Sequence, residues 1–214
     1  YYAENGGGGF PNPNAPTGAF LSLEVVEDII QHNQDVVVIV DEAYIDFGGD
    51  TAKELIRKYD NVLVVQTYSK SRSLAGLRIG YAIGNNELIK AMNDVKYSFN
   101  SYTMNQTTIA AGAAAIRDVE YFRKTVKKVM ETREWSKEEL KKLGFSFEDS
   151  KSNFIFATHK SVPAGKIFQA LRERHIYVRY FEKPRIDNYL RITIGTREEM
   201  QTLFEFLKDY LKEG

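Results

Sequence analysis

Lys70 lies in Thr67-Tyr68-Ser69-Lys70-Ser71-Arg72-Ser73-Leu74-Ala75-Gly76-Leu77-Arg78, where hydroxyls at 67, 69, 71 and 73 are interleaved with cations at 70, 72 and 78. A solvated basic loop is the plain reading. The other is an anion site: hydroxyls and an arginine fork bind phosphate, and a lysine held among cations and apolar surface loses proton affinity and becomes nucleophilic. Ala75-Gly76-Leu77, set between the charges, favours the second. Asp41 closes the run Val36-Val37-Val38-Ile39-Val40, at the strand edge where open α/β sheets bind ligands. It could be a loop carboxylate or an N-cap. It could hold magnesium in a nucleotide triphosphatase, but that needs a G-x-x-x-x-G-K-[ST] loop, which the sequence lacks. A phosphate pocket, a nucleophilic lysine and a carboxylate together suggest pyridoxal phosphate, which takes a lysine on its carbonyl and an acid on its ring nitrogen.

These residues need a scaffold. Leu23, Val25, Val26, Ile29 and Ile30 recur at helical spacing over residues 21–33, with Ser22 as N-cap. Residues 36–40, 62–65 and 79–83 read as strands, the first buried on both faces, and a helix is expected over 51–58. Strands separated by helices imply crossover connections and an α/β sheet, mostly parallel, with helices on its faces. From residue 87 to 143 the pattern is helical, ending in a charged stretch with a narrow apolar stripe, stopped by Gly144. The remainder alternates short strands (145–148, 153–157, 177–179, 189–194) with helices over 164–174 and 197–212, a small α+β unit.

Composition narrows the function. Lys plus Arg and Asp plus Glu both total 29, so no net charge draws nucleic acid or an acidic membrane. The absence of cysteine removes thiolate metal sites and cysteine nucleophiles, and no metal-ligand set is read. No apolar run approaches the roughly 20 residues a membrane span needs, and the first five residues carry no signal-peptide pattern, so a cytoplasmic protein is expected. Gly6 to Gly9 read as flexible coil, either a natural loop, an artificial junction or a bridge across a deletion.

Four segments in order, Asn12-Pro13-Asn14-Ala15-Pro16-Thr17-Gly18, Asp41-Glu42-Ala43-Tyr44, Ser69-Lys70 with Leu74 to Gly80, and Leu190-Arg191-Ile192-Thr193-Ile194-Gly195-Thr196, resemble the signatures of fold-type I aminotransferases. Within them the chain is most similar to the histidinol-phosphate aminotransferase family. The resemblance implies amino transfer between glutamate and the keto partner of histidinol phosphate, with pyridoxal 5'-phosphate as cofactor and a homodimer in intact relatives. It implies Lys70 as the Schiff-base lysine and proton carrier, Asp41 on the pyridine nitrogen, and Tyr44 on the phenolic oxygen. Ser69, Arg78 and Thr67 would hold the cofactor phosphate. Arg191 would meet the substrate carboxylate and Arg179 a substrate phosphate. It further divides the chain into a glycine-rich start (1–10), part of the large cofactor domain (11–116), a connecting helix (117–143) and the small domain (144–214). Two departures stand out. Ala15 occupies the place of the family's ring-oxygen asparagine, leaving Asn14, Asn12 or Tyr44 alone to serve. The family's N-terminal phosphate cradle and stacking aromatic are not found in residues 1–10. The alternatives are therefore an inactive folding unit, or a relative acting on aromatic amino acids or phosphothreonine.

Overall fold

The computed structural model describes Ala3 and residues 5–212; Tyr1, Tyr2 and Glu4 of the start, and Glu213 and Gly214 of the C-terminal unit, lie outside the described residues. The first sheet is built from β1 (Gly8–Pro11), β2 (Val38–Asp41), β3 (Val62–Thr67) and β4 (Gly80–Gly84), in that spatial order, with α1 (Leu23–Gln31) between β1 and β2. β1, β2 and β3 run parallel, while β4 returns antiparallel to β3. α1 drives Val26, Ile29 and Ile30 onto Val38, Val40, Val62 and Val64, with Phe10, Ala52 and Leu55 completing this core. The segment expected as a helix at 51–58 is a 3-10 turn, Ala52–Arg57, started by the Thr51 hydroxyl accepting from the Lys53 amide.

Three expectations are corrected here. The glycine run is not all coil, since Gly8 and Gly9 enter β1 opposite Val38 and Ile39. β2 is buried on one face only: Val38 and Val40 are inaccessible, but Ile39 is 39% exposed and Asp41 is open, because α1 and the Ala52–Arg57 turn cover a single side. The strand after Lys70 is reached without a helical crossover. The link between β3 and β4 holds only a 3-10 turn at Ala75–Leu77, and a short connection of that kind joins antiparallel neighbours.

Three helices follow: α2 (Asn86–Phe99), α3 (Gln106–Arg117) and α4 (Val119–Lys142), with the side chains of Asn85, Asn105 and Asp118 accepting amides of the first turns. No described residue of α2 is buried, and Phe99 and Tyr102 are 79% and 96% exposed. α4 is less simply solvated than its charge suggests, since Arg133, Ser136 and Lys137 are buried beside Val126 and Leu140. Gly144 ends it at φ +84°, the left-handed conformation for which glycine carries no Cβ penalty.

The second sheet contains β5 (Phe145–Phe147), β6 (Phe154–His159), β7 (Arg179–Tyr180) and β8 (Leu190–Thr193), all antiparallel, in the order β5-β6-β8-β7. α5 (Ala164–Glu173) and α6 (Arg197–Tyr210) pack Ile167, Leu171, Leu203, Phe204 and Leu207 onto Ile155, Ala157, Leu190 and Ile192. A Thr196–Glu199 capping box starts α6. Among the described residues no helix is long and apolar enough to cross a membrane.

Candidate active site

The parallel register brings the candidates to one sheet edge. Pro11 and Val65 flank Asp41 in the ladder, the Asn12 amide donates to the Asp41 carbonyl at 2.8 Å, and Gly80 lies opposite Thr67. The segments carrying Asn14, Asp41, Tyr44, Lys70 and Arg78 therefore all leave or enter the sheet at the carboxyl ends of β1, β2 and β3. Asp41 is exposed and its Oδ1 accepts from the Ala43 amide at 3.0 Å.

Lys70 projects its Nζ over the ring of Tyr44, 5.3 Å from the centroid, and no ion pair of Lys70 is formed among the described residues. Two ties hold its loop. Ser71 Oγ donates to Asp46 Oδ2 on one side. On the other, the Arg72 guanidinium lies over Phe122 at 4.1 Å and Tyr68 at 5.5 Å and donates to the Ala115 carbonyl at 2.8 Å. Thr67 Oγ1 bridges the strand end to the loop, lying 3.0 Å from Ser69 Oγ and accepting from the Ser69 amide at 3.1 Å. Arg78 takes a left-handed backbone, φ +54°, and its exposed side chain donates to the Ala75 carbonyl at 2.9 Å.

The asparagines are engaged in their own turn. Asn14 Oδ1 accepts from the Thr17 hydroxyl at 2.8 Å, and buried Asn12 both donates to the Leu21 carbonyl and accepts from its amide.

From the second sheet, Arg191 and Arg179 are register partners on β8 and β7. Both guanidiniums lie over Phe181, at 5.8 and 5.4 Å, and Arg191 also lies over Phe154 at 5.1 Å. Phe154 in turn meets Tyr44 edge-on at 5.2 Å. A continuous line of contacts thus runs Lys70, Tyr44, Phe154, Arg191. Arg191 Nε is buried and makes no hydrogen bond.

Glu42, quoted above only as part of a motif, is 2% exposed. Its carboxylate accepts from Thr51 Oγ1 at 2.6 Å, the Ala52 amide at 2.6 Å and Gln66 Nε2 at 2.7 Å, and Tyr81 donates on to Gln66. The period-two pattern could have shown this: Val38, Val40 and Glu42 share the buried face, whereas Ile39 and Asp41 share the open one. Burial pushes the Glu42 carboxyl above its ordinary range, against the pull of those three donors. Its contribution to stability is full below the unfolded value of 4.5 and is lost as pH rises through the higher folded value. Urea unfolding of the wild type beside Glu42→Gln, which cannot ionise, should therefore show the wild type losing ground to the variant as pH rises from 4.5. A pH-independent difference would contradict this account.

The chain belongs to the family of class I and II aminotransferases, whose pattern matches residues 10–207. The histidinol-phosphate aminotransferase of Brachyspira hyodysenteriae (strain ATCC 49526 / WA1) is 55% identical over 202 residues, covering 94% of this chain and 57% of that protein. The protein of the same name from Lactococcus lactis subsp. lactis (strain IL1403) is 51% identical over all 214 residues, glycine run included, and 59% of its length is covered. The chain thus spans less than two thirds of these relatives. In fold it is similar to the crystal structure of histidinol-phosphate aminotransferase from Sinorhizobium meliloti in complex with pyridoxal-5'-phosphate, with a TM-score of 0.86, 24% identity, and coverage of 97% of this chain and 58% of that one.

Proposed function

We propose that this chain carries the amino-transfer site of a histidinol-phosphate aminotransferase, acting in the cytoplasm between glutamate and imidazole-acetol phosphate. The observation that carries this reading is the line Lys70, Tyr44, Phe154, Arg191, which joins a lysine amine from the first sheet to a guanidinium from the second. The donor set fits pyridoxal phosphate: a carboxylate at the strand end, hydroxyls and a guanidinium for a phosphate, and a lysine with no carboxylate partner among the described residues. When bound, that group supplies an electron sink for charge developing at the substrate α-carbon.

The residues divide the work. Asp41, at the open edge, would accept from the ring nitrogen and favour its protonated form. Tyr44, which carries Lys70 on its face, would donate its hydroxyl to the ring oxygen. Ser69, Thr67 and Arg78 would hold the cofactor phosphate, the guanidinium through a charge-assisted hydrogen bond, and Asn14, on the segment that leaves β1, would be a further donor to the ring oxygen. Lys70 Nζ takes and returns the substrate α-proton. Arg191 clamps the substrate carboxylate, and Arg179, sharing the Phe181 face, adds charge for a substrate phosphate.

Arg191→Met tests this against glutamate. Losing a charge-assisted contact worth about 1.5–3 kcal/mol should raise KM for glutamate by roughly 10–150-fold. Affinity for pyridoxal phosphate, read by absorbance, should stay unchanged. Unaltered glutamate dependence would remove Arg191 from the site. Silence toward glutamate, histidinol phosphate, phenylalanine and phosphothreonine from a folded chain would count against the amino-transfer reading.

A further inference from the structure

Arg133 has no part in the chemistry just described, yet it is one of the most enclosed charges among the described residues, with 2% of its side chain accessible. Its Nη1 donates to two backbone carbonyls, Phe47 at 2.8 Å and Ser152 at 2.9 Å, and its Nε reaches Glu134 Oε1 at 2.9 Å. Phe47 closes the 3-10 turn Ile45–Phe47 that begins directly after Tyr44. Ser152 stands two residues before Phe154. One guanidinium nitrogen therefore joins the backbone just after Tyr44 to the backbone just before Phe154, the two rings that meet at 5.2 Å.

A second backbone link lies alongside. The Lys151 amide donates to the Gly18 carbonyl at 3.0 Å, and a Cβ on Gly18 would collide with Ser150 Oγ. The two sheets are thus held together around α4 by hydrogen bonds to carbonyls, and the guanidinium fork is the group that reaches both sides at once.

We propose that Arg133 is a positioning residue that sets the spacing between the Lys70 amine and the Arg191 guanidinium. It acts through the Tyr44–Phe154 contact. This inference rests on the proposed reading of Lys70 and Arg191 as the two ends of the site, but its first test does not. A bound substrate must reach the amine with its α-carbon while its anionic group meets the guanidinium. A hinge that loosens would blur that distance and lower the fraction of productive encounters.

The cysteine-free chain permits a clean measurement. Arg57→Cys, at the end of the turn packed on the first sheet, and Glu173→Cys, at the end of α5 on the second, both at exposed positions, accept spin labels for double electron–electron resonance. The labelled parent should give one narrow distance distribution without any cofactor. Arg133→Met should broaden it to at least about twice the parental width, and Arg133→Lys, which keeps the charge and one donor nitrogen in place of the fork, should recover part of the narrowing. A distribution unchanged in Arg133→Met would overturn the proposal. Should Arg133→Met fail to fold, Arg133→Lys alone decides, since parental width there counts against it. In a second arm, kcat/KM for glutamate should fall about 10²-fold in Arg133→Met while pyridoxal-phosphate affinity holds. A broadened distance with unaltered glutamate kinetics would overturn the link to catalysis. A parent silent toward glutamate would sink the functional reading and leave the distance result standing.

Discussion

Lys70→Ala should abolish the visible absorbance that the protein acquires on binding pyridoxal phosphate through its amine, and lower glutamate-dependent turnover at least about 10³-fold. The geometry makes the expectation specific. Lys70 stands over Tyr44 on a loop tied by Ser71 to Asp46 and by Arg72 to the Ala115 carbonyl, so its amine is delivered to one place while its backbone is secured by neighbours. Truncation removes a half-buried side chain outside both cores and a cation–π contact of about 0.5–1 kcal/mol, so the fold should survive. Circular dichroism and a cofactor titration recorded side by side separate the two effects. A visible band retained in the folded variant would exclude Lys70 as the reacting lysine.

Phe154→Ala carries the largest expected cost in stability. The ring is 2% exposed, at the start of β6, with Tyr44 against its edge and the Arg191 guanidinium over its face. Emptying such a site costs about 3–5 kcal/mol. At this chain length that corresponds to a fall in Tm of roughly 6–20 °C. The backbone carbonyl of Phe154 still accepts from Ser150 and Ser152, so the strand start is kept and the loss belongs to the ring. Phe154→Leu, which refills most of the volume, should restore more than half of the deficit. Thermal melts of the three proteins measure this. A Phe154→Ala melt within a degree or two of wild type would mean the ring is not the joint between the sheets.

Local patterns carried much of this architecture. The β-branched runs marked β2 and β3, the helical spacing of Leu23 to Ile30 marked α1, and Gly144 marked the end of α4. The cluster at the sheet edge was legible because the strands are parallel and their carboxyl ends must coincide. The direction of β4 was missed although the segment from 68 to 79 lacks the amphipathic period of a crossover helix. β2 was read as buried on both faces because an apolar run says nothing about which face receives a partner. Tyr44 against Phe154, and Arg133 between Phe47 and Ser152, join residues separated by up to 110 positions. No spacing rule reaches that far, because such contacts follow from how two independent sheets dock.

Among the described residues β1 pairs with β2 alone, at the margin of the first sheet, and half of it is glycine. Sheet margins ordinarily carry lysines, bulges or prolines that discourage a foreign strand from adding on. Within β1 Pro11 supplies such a device, at the end nearest the site, while Gly8, whose amide donates to the Val37 carbonyl, and Gly9 offer neither bulk nor charge to repel. This margin of the described sheet is therefore open to a further strand, and a lysine in place of Gly9 would act there as a gatekeeper.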